Sequence, residues 1–189
     1  NGKNLLNSQT LQSDQECYLR SLILYSYEAE NSDGFFSPLM LTLHIMKELE
    51  IRTGSSRISF QEMAAVIQLT FSYSDISQSV DEIFTIRSNR QASLSKKKFD
   101  RELYESKSSK AKVKAPSIKD YADTNLRYLK STGLFTASGK GICFIDDKKI
   151  VIDKLIEMYG TFDISQSDLK IQKGAPLPTD NKETNILLV

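Results

Sequence analysis

The chain has 189 residues, 40% of them apolar and 26% charged, which is ordinary globular usage and excludes the low-hydrophobicity, high-charge signature of a disordered polypeptide. No apolar run approaches the roughly 18 residues that cross a bilayer, and Asn1-Gly2-Lys3-Asn4 lacks the basic and apolar regions of a signal peptide, so neither membrane insertion nor secretion is expected. The formal net charge of +1 conceals a segregation: Arg87 to Lys130 holds thirteen Lys or Arg against five Asp or Glu, and the remainder is acidic. Such a block can bind a phosphate backbone, although charge runs are more often solvated surface.

In chain order, Leu19, Leu22, Ile23 and Tyr27 predict a helix over 14–30, stopped by Asn31-Ser32-Asp33-Gly34. Ser37 as cap and Pro38 in the first turn open a second helix, whose Leu41, Ile45, Met46 and Leu49 mark it as the central helix of the core. Thr53-Gly54-Ser55-Ser56 breaks it, and Arg57-Ile58 suits one short extended contact. Ser59 then caps a third helix with Glu62 in the capping-box position, carrying Phe60, Met63, Ala64 and Ile67. Ser74 to Arg90 has helical spacing in Ile76, Val80, Ile83, Phe84 and Arg87. From Ser93 to Lys114 the pattern degrades to a solvated helix giving way to a flexible loop, with Leu94, Phe99, Leu103, Tyr104 and Val113 offered to a core.

Periodicity returns at Pro116. Ser117 with Asp120 reads as a cap, and Ile118, Tyr121, Ala122, Leu126 and Leu129 as the buried stripe of a helix that Gly133 ends. Leu134-Phe135-Thr136-Ala137, the turn Ser138-Gly139-Lys140-Gly141 and Ile142-Cys143-Phe144-Ile145 predict a hairpin. Asp146 caps either a helix of about 147–159, using Val151, Leu155 and Met158, or a third strand at Ile150-Val151-Ile152; the helix is favoured. Gly174-Ala175-Pro176-Leu177-Pro178 reads as a linker. Cys17 and Cys143 lie in apolar segments without CxxC spacing and are expected to be small core hydrophobes.

This element order predicts a mainly α fold with a small β-hairpin, a winged helix-turn-helix with a helical insertion. Helices 38–50, 59–69 and 117–131 form the three-helix core, 134–145 the wing and 74–114 the insertion. The domain spans 1–160, and 161–189 is an extended tail or linker. The helix and hairpin over 117–145 are the firmest feature.

The string Asp120-Tyr121-Ala122 through Asn125-Leu126-Arg127-Tyr128-Leu129-Lys130-Ser131-Thr132-Gly133-Leu134-Phe135, followed by Gly139-Lys140-Gly141-Ile142, resembles the AlwI family of type II restriction endonucleases. Phe36-Ser37-Pro38-Leu39, Ile58-Ser59-Phe60-Gln61-Glu62 and Leu177-Pro178-Thr179-Asp180-Asn181 fit the same comparison. The arrangement also resembles FokI-like winged-helix recognition subdomains, where an insertion separates helices. The resemblance implies a modular bacterial, cytoplasmic enzyme of type IIS, cutting double-stranded DNA outside its recognition sequence. This chain would be the recognition or linker part, and a cleavage domain of the same protein would lie elsewhere. It further implies a PD-(D/E)xK centre, in which carboxylates hold Mg²⁺ and a lysine helps activate water, for the parent nuclease.

Asp147-Lys148-Lys149, with Asp146-Asp147-Lys148 as an overlapping frame, matches half of that centre, but no strand bearing a second acid precedes it; a helix cap with solvated lysines is the expected reading. Pro178-Thr179-Asp180 lacks a following E-x-K strand. His44, the only histidine, sits between Leu43 and Ile45 and is expected to pack at the core edge, which leaves no two-histidine metal site. The fragment is therefore expected to carry no catalytic residues, metal or cofactor of its own. DNA contact needs no further chemistry: Lys119, Asp123, Arg127 and Lys130 are the exposed helix positions, Lys140 is at the wing tip, Lys96, Lys97, Lys98 and Arg101 suit phosphates, and Asn125 suits adenine. The alternative is a winged-helix regulator or a protein-interaction domain on the same scaffold.

Overall fold

The computed structural model describes residues 10–28 and 35–159, so the predicted linker at 174–178 and Pro178-Thr179-Asp180 lie outside the described residues. Helix α1, Leu11–Ile23, is shorter than the expected 14–30. Its last residues give way to strand β1, Tyr27–Glu28, which pairs antiparallel with β2, Phe35–Phe36, in the register Tyr27↔Phe36 and Glu28↔Phe35. Helical spacing placed Tyr27 on α1. Tyr27-Glu28 pairs its backbone with Phe35-Phe36 instead, a contact that a helix-period reading does not see.

Helix α2, Pro38–Thr53, is the expected central helix. The Ser37 hydroxyl accepts the Met40 N–H at 3.4 Å, Pro38 occupies the first turn, and the helix stops at a left-handed Gly54. Leu39, Met40, Leu41, Leu43, Ile45, Met46 and Leu49 are all buried. Fully burying a Leu, Ile or Met side chain contributes about 1.5–3 kcal/mol, so this one helix supplies a large part of the core. The capping box at Ser59 is present in both directions, with Glu62 N–H donating to the Ser59 hydroxyl and Ser59 N–H to the Glu62 carboxylate. The helix it opens, α3, is short, Phe60–Ala65; at Val66 the backbone turns out of the helical region, and a 3₁₀ turn over Ile67–Leu69 completes the expected 59–69 segment.

A 3₁₀ turn at Tyr73–Asp75 leads into α4, Ile76–Ala92, and Ser95 then caps α5, Lys96–Lys110. The expected flexible loop is thus confined to 111–114, where Lys112 adopts a positive φ of 55°. Phe99, Leu103 and Tyr104 pack against the core as predicted, but Leu94 is fully exposed and Val113 is 39% exposed. The two helices lie against α2 and α3 rather than standing apart from them.

Helix α6 covers Ala115–Ser131 and begins two residues before the predicted Ser117 cap. Lys114 is its N-cap residue without a side-chain hydrogen bond, and Pro116 sits in the first turn. Proline's fixed φ and missing N–H, rather than a hydroxyl, suit this start. Ile118, Ala122, Leu126 and Leu129 are buried, whereas Tyr121 is 59% exposed and leaves the predicted stripe. Gly133, at φ 72°, ends the helix as expected, a backbone conformation that costs other residues about 1 kcal/mol.

Strands β3, Phe135–Ser138, and β4, Gly141–Phe144, form the hairpin, in register from Phe135↔Phe144 to Ser138↔Gly141. Ile58 joins them on the β4 side: its N–H donates to the Ile142 carbonyl at 2.9 Å and the Ile142 N–H donates back at 3.0 Å. The Ser56 hydroxyl also accepts the Phe144 N–H at 3.0 Å. The predicted extended contact at Arg57-Ile58 is therefore the third member of a small antiparallel arrangement whose spatial order is Ile58, β4, β3. A 3₁₀ turn at Asp146–Lys148 precedes α7, Lys149–Tyr159, which buries Val151, Ile152, Leu155 and Tyr159 against α2. The helix thus prevails over the alternative third strand, but the N-cap residue of the preceding 3₁₀ turn is Ile145 rather than Asp146, and Met158 is 39% exposed. Cys17 is buried and Cys143 half-buried, both as free thiols.

Candidate nucleic-acid interface

Because α6 buries one edge, its opposite edge is fixed in solvent. Lys119, Asp123, Arg127 and Lys130 follow one another along it and are all exposed. Arg127 Nε lies 3.1 Å from Asp123 Oδ2, and its Nη2 donates to Thr124 Oγ1 at 3.2 Å. A pair this exposed is worth about 0.2–1 kcal/mol, so the guanidinium can exchange its carboxylate for another anion at little cost. Lys119 and Lys130 make no ion pair among the described residues. Lys140 is exposed in the hairpin turn. Asn125 differs from the other predicted contacts: it is half-buried, and its Nδ2 donates to Gln68 Oε1 at 3.3 Å. Gln68 in turn donates to the Ala64 and Ile118 carbonyls at 3.0 and 2.9 Å, so Asn125 belongs to the seam between α6 and the 3₁₀ turn that follows α3.

On α5, Lys96, Lys97, Lys98 and Arg101 are exposed, and only Lys98 has an ion-pair partner among the described residues, Glu102 at 3.8 Å. Three lysines in a first turn oppose the helix dipole, which favours anions there. Lys96 shares an open cleft with three arginines that sequence reading did not group with it: Arg57, Arg87 and Arg90. Arg87 Nε and Nη2 donate to Glu62 at 2.9 and 3.1 Å, and Nη2 also donates to the Arg57 carbonyl at 2.7 Å. Arg90 grips Asp100 through Nε and Nη2 at 2.6 and 3.0 Å, while Gln61 Nε2 donates to the same carboxylate at 3.1 Å. The spacing of Arg87 to Arg90, three residues along one helix, was the only local signal for this pairing of neighbours.

Tyr104 stands edge-on to Phe60, with ring centroids 6.5 Å apart, and reports on this cluster. Burial, reinforced by the Asp100 charge and opposed by Arg90, pushes its phenol up to about 12. A folded-state value above the unfolded one, about 10, means that the contribution to stability is complete below pH 10 and is lost as pH rises towards 12. Ultraviolet titration of the parent compared with Tyr104→Phe should therefore differ by one phenol that ionises near pH 12. A difference curve with its midpoint near the ordinary tyrosine value of about 10 would contradict it.

The family model of the AlwI restriction endonuclease matches residues 1–189. The chain belongs to that family. No curated protein matches it. Membership makes DNA the substrate of the AlwI family chain and restriction–modification its setting, and favours an endonuclease over the regulator considered from the element order.

A PD-(D/E)xK centre would need at least two carboxylates converging on a cation beside a lysine. In the AlwI family chain, Lys149 of the D-x-K string lies 2.9 Å from both Asp146 Oδ1 and Glu50 Oε1. Its hydrogen bond to Asp146, then that to Glu50, raises its pKa and holds it as a cation. Asp146 and Asp147 are exposed, and among the described residues no three His, Cys, Asp or Glu side chains gather as metal ligands. These residues do not fit Mg²⁺, and no catalytic step is derived from them. His44 is half-buried, its ring edge-on to Tyr73 at 5.6 Å, in keeping with core-edge packing. Among the described residues, no helix is long and apolar enough to cross a membrane.

Proposed function

We propose that residues 1–160 are a winged-helix DNA-recognition module of a type IIS member of the AlwI family, acting in the bacterial cytoplasm. Helix α6 is the recognition helix, the β3–β4 hairpin the wing, and α4 with α5 the insertion. The Mg²⁺-dependent cleavage centre belongs to another part of the protein. The observation that carries this reading is the double hydrogen bond between Ile58 and Ile142, which inserts the segment between α2 and α3 beside β4 and so ties helix, short strand, helix, helix and hairpin into one unit. An amphipathic α6 with Lys119, Arg127 and Lys130 on its free edge, followed at once by Lys140 in the hairpin turn, supplies cations where a groove-reading helix and its wing need them.

The test is titration of the chain against random duplex DNA at several salt concentrations. Binding should weaken steeply with salt, and Arg127→Ala with Lys140→Ala should lower the slope of log K against log salt by about 0.9 for each phosphate contact removed. The expected outcome in plasmid incubations with Mg²⁺ is no cleavage, and nicking that vanished in Asp147→Ala would overturn the placement of the nuclease centre elsewhere. Undetectable duplex binding at low salt would overturn the recognition reading itself.

A further inference from the structure

We infer that the cleft lined by Arg57, Arg87, Arg90 and Lys96 is a second anchor for backbone phosphates of the bound duplex, separate from α6; the inference rests on the recognition reading above. Three separate segments build it: the extended run before α3, the last turns of α4 and the first turn of α5. Its volume is about 390 Å³. Ser59 and Gln61 add neutral polar groups, and Ile86 is the one aliphatic side chain in the lining.

The four cations divide into two that are held and two that are free. Glu62 and Asp100, whose side chains are only 6% and 16% exposed, grip Arg87 and Arg90 and fix both guanidiniums in place. Each of those carboxylates accepts three hydrogen bonds, Glu62 from Arg87 and the Ser59 N–H, Asp100 from Arg90 and Gln61. Neither arginine uses Nη1 in these bonds, so each retains donors on a guanidinium that is already immobilised. Arg57 and Lys96 have no ion pair or side-chain hydrogen bond among the described residues. The excess of positive charge therefore rests on these two exposed side chains.

Position supplies the second argument. A Cβ built on Gly139 would stand 3.3 Å from Arg57 Nη2, so this guanidinium lies against the hairpin turn that carries Lys140. Arg57 thus links the turn that carries Lys140 to the cleft that it lines with Lys96. A phosphodiester, with two unesterified oxygens sharing one charge, suits guanidinium forks held in advance, because little side-chain entropy remains to be lost when it binds. The lysines of the α5 first turn, unfavourable for the helix itself, become favourable once an anion sits among them.

The experiment uses the whole chain with Arg57→Ala, Lys96→Ala and the double substitution, chosen because neither side chain makes a structural bond. Against a duplex oligonucleotide, the double variant should lose about two phosphate contacts, lowering the salt slope by about 1.8 and weakening binding alike on every sequence. Arg57→Lys should recover part of the loss, and circular dichroism should show unchanged folding. A double variant that binds with the parental affinity and slope overturns this anchor while leaving α6 and the wing intact; it is then their own variants that lower the slope. Variants that bind inorganic phosphate less well but DNA equally well also overturn it. No binding by the unsubstituted chain overturns both readings.

Discussion

Replacing Gly141 by Ala should destabilise the protein by about 3–5 kcal/mol, the cost of driving a methyl group into backbone and breaking two hydrogen bonds. A Cβ at this position would overlap the Ile58 carbonyl oxygen and stand 2.8 Å from both the Ile58 carbonyl carbon and the Ser59 Cα. These are backbone atoms, so no rotamer change relieves the overlap. Relief requires β4 to move away from Ile58, which removes the reciprocal N–H to carbonyl bonds at 2.9 and 3.0 Å and uncovers Ile58 and Ile142, both completely buried. For a chain of this size the midpoint of thermal unfolding should fall by about 10 °C. The hairpin would also lose its fixed orientation, so duplex binding should weaken together with stability. A midpoint within 2 °C of the parent, roughly the width expected for a change below 1 kcal/mol, would show that the hairpin is not held as described.

The second large effect is expected at Glu62. Its side chain is 6% exposed and serves two partners at once: it accepts the Ser59 N–H at 2.9 Å, closing the capping box of α3, and it pairs with Arg87 on α4. Glu62→Ala should cost about 2–4 kcal/mol, because it removes a helix cap and leaves a one-third exposed guanidinium without its counter-charge. Glu62→Gln preserves the cap's shape while discarding the charge and should cost about half as much. A double-mutant cycle with Arg87→Ala, read from urea midpoints, should return a coupling of about 1–3 kcal/mol. Strict additivity would mean that the two side chains do not support one another. The same pair matters for the cleft, since an Arg87 released from Glu62 no longer presents a fixed guanidinium.

Some elements were legible because their physics is local. Ser37-Pro38, the Ser59/Glu62 box, Gly133 and the Ser138 to Gly141 turn each satisfy backbone groups within a few residues, and each operates in the structure as its sequence signature implies. The same locality explains the errors. Ser117 followed by Asp120 satisfies the cap pattern, yet Lys114-Ala115-Pro116 starts α6 earlier, because a proline in the first turn extends the helix backwards without needing a hydroxyl. Tyr121 fits a three-four spacing but lies at the stripe's margin, where only the position of the neighbouring helices decides whether a ring is covered. The lysine-rich 93–114 region reads as a solvated helix giving way to a loop, and the helix runs on to Lys110. Three residues, Phe99, Leu103 and Tyr104, together with the Arg90–Asp100 pair, hold α5 to the core.

The candidate interface divides in the same way. The exposed edge of α6 and the cation at the hairpin tip follow from periodicity and turn chemistry, since burying Ile118, Ala122, Leu126 and Leu129 leaves Lys119, Asp123, Arg127 and Lys130 nowhere else to go. Family membership was also visible in the residues of that helix and hairpin. What only the tertiary structure decided is how distant segments meet. Asn125, between the two faces of α6, finds its partner in Gln68, 57 residues earlier. Arg57 shares a cleft with Arg87, Arg90 and Lys96 because the Ile58 bridge and the Glu62 and Asp100 pairs bring three segments together. Sequence by itself determined which side chains are charged and which helical edge is apolar, through interactions that span one or two turns. Which cations converge was settled by loop closure over tens of residues, a cost met by the whole buried core rather than by any local pattern.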